Sequence, residues 1–198
     1  MAAANHLQRF VRLLMPRLPD DFARALGSID LGAPRAAPSS LPVCRFWETA
    51  LAEGRLELLA PLAKLGPYLR WVQNPNYVAA PPSPGFLESY GYAVLAGPGG
   101  LVECSDLAFG LLLLGPGTHY PRHCHPAVEI YVMLAGEGEW QKGEEPWRRE
   151  APGSIIRHDS MMPHATRALA GPLLAAYLWR GDLATHARII ATEASSTV

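Results

Sequence analysis

The chain has 198 residues, 49% of them hydrophobic, with 17 basic and 18 acidic side chains and a net charge of −1. That length supplies one domain with a sizeable core, and the near-neutral balance argues against nucleic acid or a membrane surface as a partner. Cys44, Cys104 and Cys124 form no C-x-x-C pair and leave an odd count, which suits a reducing compartment and a cytoplasmic location.

The opening stretch MAAANHLQRFVRLLMPRLPDD is too short in apolar run to be a signal peptide or a span, since Arg9 and Arg12 interrupt it. Asn5 is a candidate cap for a helix in which Leu7, Phe10, Val11 and Leu14 recur at helical spacing before Pro16 stops it. Asp20 or Asp21 can start a second, shorter helix. The segment Gly32 to Pro42, GAPRAAPSSLP, has the composition of a linker. From Val43 to Lys64, Phe46, Trp47, Leu51, Leu56, Leu59 and Leu62 follow a mainly helical pattern that Gly54 and Pro61 interrupt. Residues 1–72 are therefore expected to form a helical cap packed on the remainder of the same domain. Residues 73–85, QNPNYVAAPPSPG, lack periodicity and read as a loop, either a lid or a plain connector.

From Phe86 onward the pattern turns to β: FLESYGYAVL, DLAFGLLLL, a hairpin around Gly143, SIIRH, HATRAL and LLAAYLWR. Seven or more short strands punctuated by Gly and Pro indicate a sandwich or barrel of the jelly-roll type over residues 86–198, with a short closing helix between Gly181 and Ile190. At its centre lies GTHYPRHCHPAVEIYVMLAG, Gly117 to Gly136. Strand alternation turns His123 and His125 one way and puts Glu129 and Tyr131 on a common face. Burying two imidazoles with a carboxylate is costly unless something binds them, and a divalent metal satisfies all three. Cys124, between the histidines, is turned away and reads as a small buried hydrophobe.

This stretch resembles the first signature of the cupin superfamily: Gly117, five residues, His123, one, His125, three, Glu129, six, Gly136. The second signature is matched at Pro152-Gly153 and at His164, while Asp159, Met161 and Ala168 depart from the residues the family often has there. The resemblance implies a cupin barrel with His164 as the later ligand. His158, six residues earlier, is the competing ligand and is expected at the surface or just outside the ligand set.

Such a site leaves open positions for substrate and admits Fe, Mn, Co, Ni or Zn. A phenol beside a dication shifts toward phenolate, so Tyr120 and Tyr131 are both candidate bases. The run HYPRHCHPAVEIYV, the helical extension before it, and PHATRA followed by AYLWRGD resemble the Q-type bacterial cupin lyases that cleave dimethylsulfoniopropionate (DMSP). That resemblance implies elimination to dimethyl sulfide and acrylate. It carries metal ligation onto His125, Glu129 and His164 with Tyr131 in contact. It makes His123 a ligand or substrate contact and Tyr120 the base, the latter expected at the barrel mouth. The partner implied is a small zwitterionic sulfonium compound, whose cation the faces of Trp179, Tyr177 and Tyr92 can hold. No organic cofactor is required, and a homodimer is left open. The competing functions are another metal-dependent cupin enzyme, a dioxygenase or isomerase, and a non-catalytic binding cupin.

Overall fold

The computed structural model describes residues 2–32, 36–54 and 57–190. The larger of two antiparallel sheets holds, in spatial order, β1 (Trp71–Val72), β2 (Tyr90–Ala96), β3 (Ala108–Leu114), β10 (Leu173–Arg180), β5 (Val128–Ala135) and β8 (Ile155–His158). The smaller holds β11 (Arg188–Ile189), β4 (His119–Cys124), β9 (His164–Ala168), β6 (Gly138–Lys142) and β7 (Arg148–Glu150). This is the expected cupin jelly roll, with the inner faces of the two sheets enclosing one interior.

The apolar runs in β3, β5 and β10 have a simple cause: both faces of these strands are covered. Side chains alternate, so Phe109, Leu111 and Leu113 of β3 pack outward with Ile130, Val132 and Leu134 of β5 and Leu174, Ala176 and Leu178 of β10. Helices cover that outer face. In α1 (Ala2–Leu14) the residues Leu7, Phe10, Val11 and Leu14 are buried at the spacing of one helix face, and Phe10 stacks on Phe109 with ring centroids 5.7 Å apart. Phe22 and Leu26 of α2 (Asp20–Gly27), and Leu59, Leu62 and Leu65 of α4 (Leu59–Leu65), join the same core, as does Trp47, the first residue of α3 (Trp47–Glu53). Each such side chain contributes about 1.5–3 kcal/mol relative to exposure.

The inner faces differ in kind. Leu112 and Leu114 of β3, Tyr131 and Met133 of β5 and Ala175 and Tyr177 of β10 cluster with Tyr120 of β4, Trp140 of β6 and Ala168 of β9. Gly110, opposite Tyr177, has no side chain for a reason: a Cβ there would lie 2.6 Å from the Tyr177 ring and 2.3 Å from the Ala93 carbonyl oxygen.

Several local expectations require correction. Asn5 does not cap α1, because the helix already starts at Ala2 on three alanines, the best helix formers. Pro61 does not interrupt a helix: it is the third residue of α4, in the first turn, where a missing N–H removes no intrahelical bond. Trp71 and Val72 belong to the sheet as edge strand β1, not to the helical cap. The segment 73–85 is not all loop. It contains α5 (Pro75–Ala79), capped by the Asn74 side chain accepting from the Asn76 N–H at 2.9 Å, with Pro75 at the first helical position. No helix closes the chain between Gly181 and Ile190. Asp182 Oδ1 instead accepts from the N–H groups of Ala184 and Thr185, both at 2.9 Å, which turns the backbone before Arg188 and Ile189 pair with β4. Leu56, part of the linker (residues 33–35) and the polar tail lie outside the described residues.

Candidate metal centre

Sheet register assembles the site. His123 of β4 stands opposite His164 at the start of β9, while Glu129 of β5 stands between Trp179 of β10 and His158 of β8. His125 follows one residue after β4 ends. His123, His125, Glu129, His158 and His164 are all 2% exposed or less. Two overlapping groups, His123–His125–His164 and Glu129–His158–His164, each bring their ligand atoms within 4.8 Å of one another.

The hydrogen bonds fix which nitrogen faces inward. The Nδ1 atoms of His123, His125 and His164 lie 2.8, 3.0 and 2.8 Å from the carbonyls of Pro121, Ala127 and Met162. A carbonyl can only accept, so each Nδ1 carries a proton and Nε2 is the nitrogen left to face the centre. There the Nε2 atoms of His125 and His164 lie 3.2 and 3.3 Å from Glu129 Oε2. At these distances positive charge must lie between each nitrogen and the carboxylate oxygen, as a proton on Nε2 or as a metal ion shared by the nitrogens and the carboxylate. Among the described residues, the His164 and His158 Nε2 atoms have no hydrogen-bond partner. On donor type, burial and tautomer the residues fit a divalent metal ion.

The electrostatics point the same way. Burial alone would raise the Glu129 pKa, but the His125 imidazole and the contacts from His125, His158 and His164 outweigh it and hold the carboxyl well below its ordinary range. Burial, then the neighbouring His164, pushes His123 well below the ordinary imidazole value and His158 down to about 4. Glu129 Oε1 accepts the Trp179 indole N–H at 2.5 Å, and His158 Nδ1 reaches Oε2 at 3.3 Å.

Glu129 also lines a cavity of about 400 Å³ whose wall carries Tyr90, Tyr92, Tyr120, Tyr131, Tyr177 and Trp179. Asn74 and the segment from Leu183 to Ala187 close another side. Burial raises the phenols of Tyr90, Tyr120, Tyr131 and Tyr177 well above their ordinary range, and the adjacent Glu129 charge adds to the shift at Tyr131.

The structure thus brings together His123, His125, Glu129 and His164, and places Tyr120, Tyr131, Tyr92, Tyr177 and Trp179 around one cavity. Three positions differ from expectation. Tyr120 is not at the mouth: it is 4% exposed, stacks on His123 at 3.9 Å, and is covered by α5. Of the two places expected for His158, the surface is ruled out: it is fully buried and stacks on His164 at 3.9 Å. Trp179 stacks on His125 at 4.1 Å and is tethered to Glu129, so one of its faces is already occupied. Sequence reasoning missed Tyr77 and Tyr90. Tyr90 opens an alternating strand and was legible there, whereas Tyr77 lies among prolines without periodicity.

A two-sheet barrel with an inward His/Glu cluster and a helical layer defines a cupin whose pocket residues could hold a metal ion. The dimethylsulfoniopropionate lyase (DMSP lyase) family model matches residues 28–175, and the chain belongs to that family. Over 100 residues it is 43% identical to dimethylsulfoniopropionate lyase DddQ of Ruegeria pomeroyi, a match that covers 50% of each chain. The matched stretch thus spans half the length of that curated relative. Compared in three dimensions, the crystal structure of the R. pomeroyi DMSP lyase DddQ superposes with a TM-score of 0.81 at 28% identity, covering 94% of this chain and 95% of that one. A crystal structure from work on the DMSP lyases RdDddP and RnDddQII gives 0.80 at 25% identity, over 96% and 98% of the two chains.

Proposed function

We propose that the protein is a metal-dependent carbon–sulfur lyase that cleaves dimethylsulfoniopropionate to dimethyl sulfide and acrylate. One observation carries this reading: the buried His/Glu cluster opens, through Glu129, onto a cavity walled by six aromatic side chains in a chain of the DMSP lyase family. The substrate has a carboxylate for one end of that arrangement and a sulfonium for the other.

A divalent ion of the Fe, Mn, Co, Ni or Zn type, held by His125, Glu129 and His164 with Tyr131 beside it, would supply positive charge to the substrate carboxylate and to the charge that builds on it. His123 serves as a further ligand or as a substrate contact. Tyr92, Tyr177 and the free face of Trp179 receive the sulfonium, each for about 0.5–2 kcal/mol. The Tyr120 oxygen takes the proton α to the carboxylate. The C–H electron pair becomes the new carbon–carbon double bond, and the C–S pair leaves on sulfur as neutral dimethyl sulfide. Burial keeps Tyr120 protonated in isolation, so its base form requires positive charge nearby. Burial also keeps water from the carbanionic carbon. Every step is served without an organic cofactor.

Headspace detection of dimethyl sulfide from purified, metal-replete protein and dimethylsulfoniopropionate, run without oxygen, tests this function. Stoichiometric dimethyl sulfide and acrylate are expected. No product from protein that holds metal, or turnover that stops when oxygen is removed, sinks it.

A further inference from the structure

We infer that Tyr77, delivered to the interior by α5, is a positioning residue for Tyr120. The inference deepens the proposed elimination and rests on Tyr120 acting as its base. Tyr77 reaches Tyr120 from 43 residues away, and the two hydroxyl oxygens are 3.0 Å apart in a buried contact. Both residues are nearly sealed, Tyr77 at 1% and Tyr120 at 4% exposure.

The Tyr120 ring has little freedom. His123 stacks on one face at 3.9 Å and 6°, Tyr77 meets it edge-on at 5.7 Å and 79°, and Tyr90 lies 5.2 Å away. Those contacts fix the plane of the ring. The hydroxyl rotor, which decides where the lone pair and the proton point, is set by the Tyr77 hydroxyl.

Tyr77 is itself held in place. Phe86 and Tyr90 pack on it edge-to-face at 6.0 and 5.7 Å. Its helix is tied down by Asn74 and Asn76, whose amides both donate to the Ala187 carbonyl, at 2.8 and 3.0 Å. The prolines and glycine of residues 73–85 therefore carry a short helix across the barrel end so that one phenol points inward. Neither a plain connector nor a merely apolar plug calls for a hydroxyl there. A phenylalanine would fill the same space without leaving a buried polar atom in need of a partner.

Tyr77→Phe isolates the hydroxyl. With metal-replete enzyme and dimethylsulfoniopropionate, kcat is expected to fall about tenfold, the scale of one hydrogen bond lost in the transition state, while KM stays within about twofold. The same substitution added to Tyr120→Phe should cost less than about twofold more, because the group it positions is already gone. Substrate deuterated at the α carbon should show an isotope effect on kcat in Tyr77→Phe at least as large as in the parent, since the slowed step is proton transfer. An unchanged kcat, an equal loss in both backgrounds, or an isotope effect that shrinks overturns the inference. A rise in KM with kcat intact also overturns it, in favour of a packing role. Near-parental turnover in Tyr120→Phe alone would instead break the base assignment, and the positioning role with it, whatever Tyr77→Phe does.

Discussion

The two faces of β3, β5 and β10 are built from alternate residues of the same strands, yet they obey different chemistry. Outward, Phe109, Leu111, Leu113, Ile130, Val132 and Leu134 meet helices in an apolar core with no buried charged group among the described residues. Inward, the same strands present Glu129, Tyr131, Tyr177 and Trp179, groups that are costly to bury without partners. The difference teaches how a small barrel tolerates a polar centre. The outer side is wholly apolar, while the inner side sets imidazoles, a carboxylate and phenols in fixed poses beside buried Leu112, Leu114 and Met133.

Substitutions of the polar and aromatic inner residues should therefore cost function, and those on the outer face stability. The largest effect is expected at the centre. Glu129→Ala removes the oxygen that approaches His125, His158 and His164, and it should lose most bound metal and all measurable turnover while the folded chain persists. Metal analysis beside circular dichroism checks it, and full occupancy would break the site assignment. His125→Ala and His164→Ala should behave alike. Next, Tyr120→Phe should keep metal and substrate binding but lose about 10²-fold in kcat, whereas Tyr131→Phe should disturb metal or substrate affinity together with rate. Calorimetric binding beside turnover separates the two, and the reverse pattern would exchange their roles.

On the outer face, Leu111→Ala should destabilise by about 2–5 kcal/mol through the cavity it leaves, with kcat and KM unchanged well below the melting temperature. A denaturant midpoint measured beside kinetics decides the matter; lost activity without lost stability would show that the two faces are not independent. The smallest effect sharpens the boundary. His158→Ala removes a contact to Glu129 Oε2 without removing an expected ligand, and should weaken metal affinity by about tenfold, as read by competition with a chelator. A loss as complete as that of Glu129→Ala would make His158 a ligand in its own right.

Much of this was legible in the sequence because the ligands are local. His123, His125 and Glu129 fall within seven residues, and strand alternation is enough to aim them. The burial of His158 obeys the same rule: in β8 Ile156 and His158 are buried while Ile155 and Arg157 are exposed, an alternation visible in SIIRH. Tyr77 was not legible. Its place depends on a hydroxyl contact across 43 residues and on two asparagine bonds to Ala187, none of which leaves a periodic trace. The closing helix does not form although Asp182 accepts from the Ala184 and Thr185 N–H groups as a helix cap would, because the chain leaves within a few residues to pair Arg188 and Ile189 with β4.

The position of β10 has a consequence for how the molecule comes into being. It lies between β3 and β5, both of which precede it in the chain. Until Leu173–Arg180 has been synthesised, β3 and β5 cannot be joined, and each presents an unpaired edge flanked by aliphatic side chains. A pairing of such long sequence separation is closed late and slowly, on the order of milliseconds to seconds. During translation the chain therefore passes through a stage with two adhesive edges, when assistance from chaperones and a low local concentration of nascent chains decide the yield of folded protein.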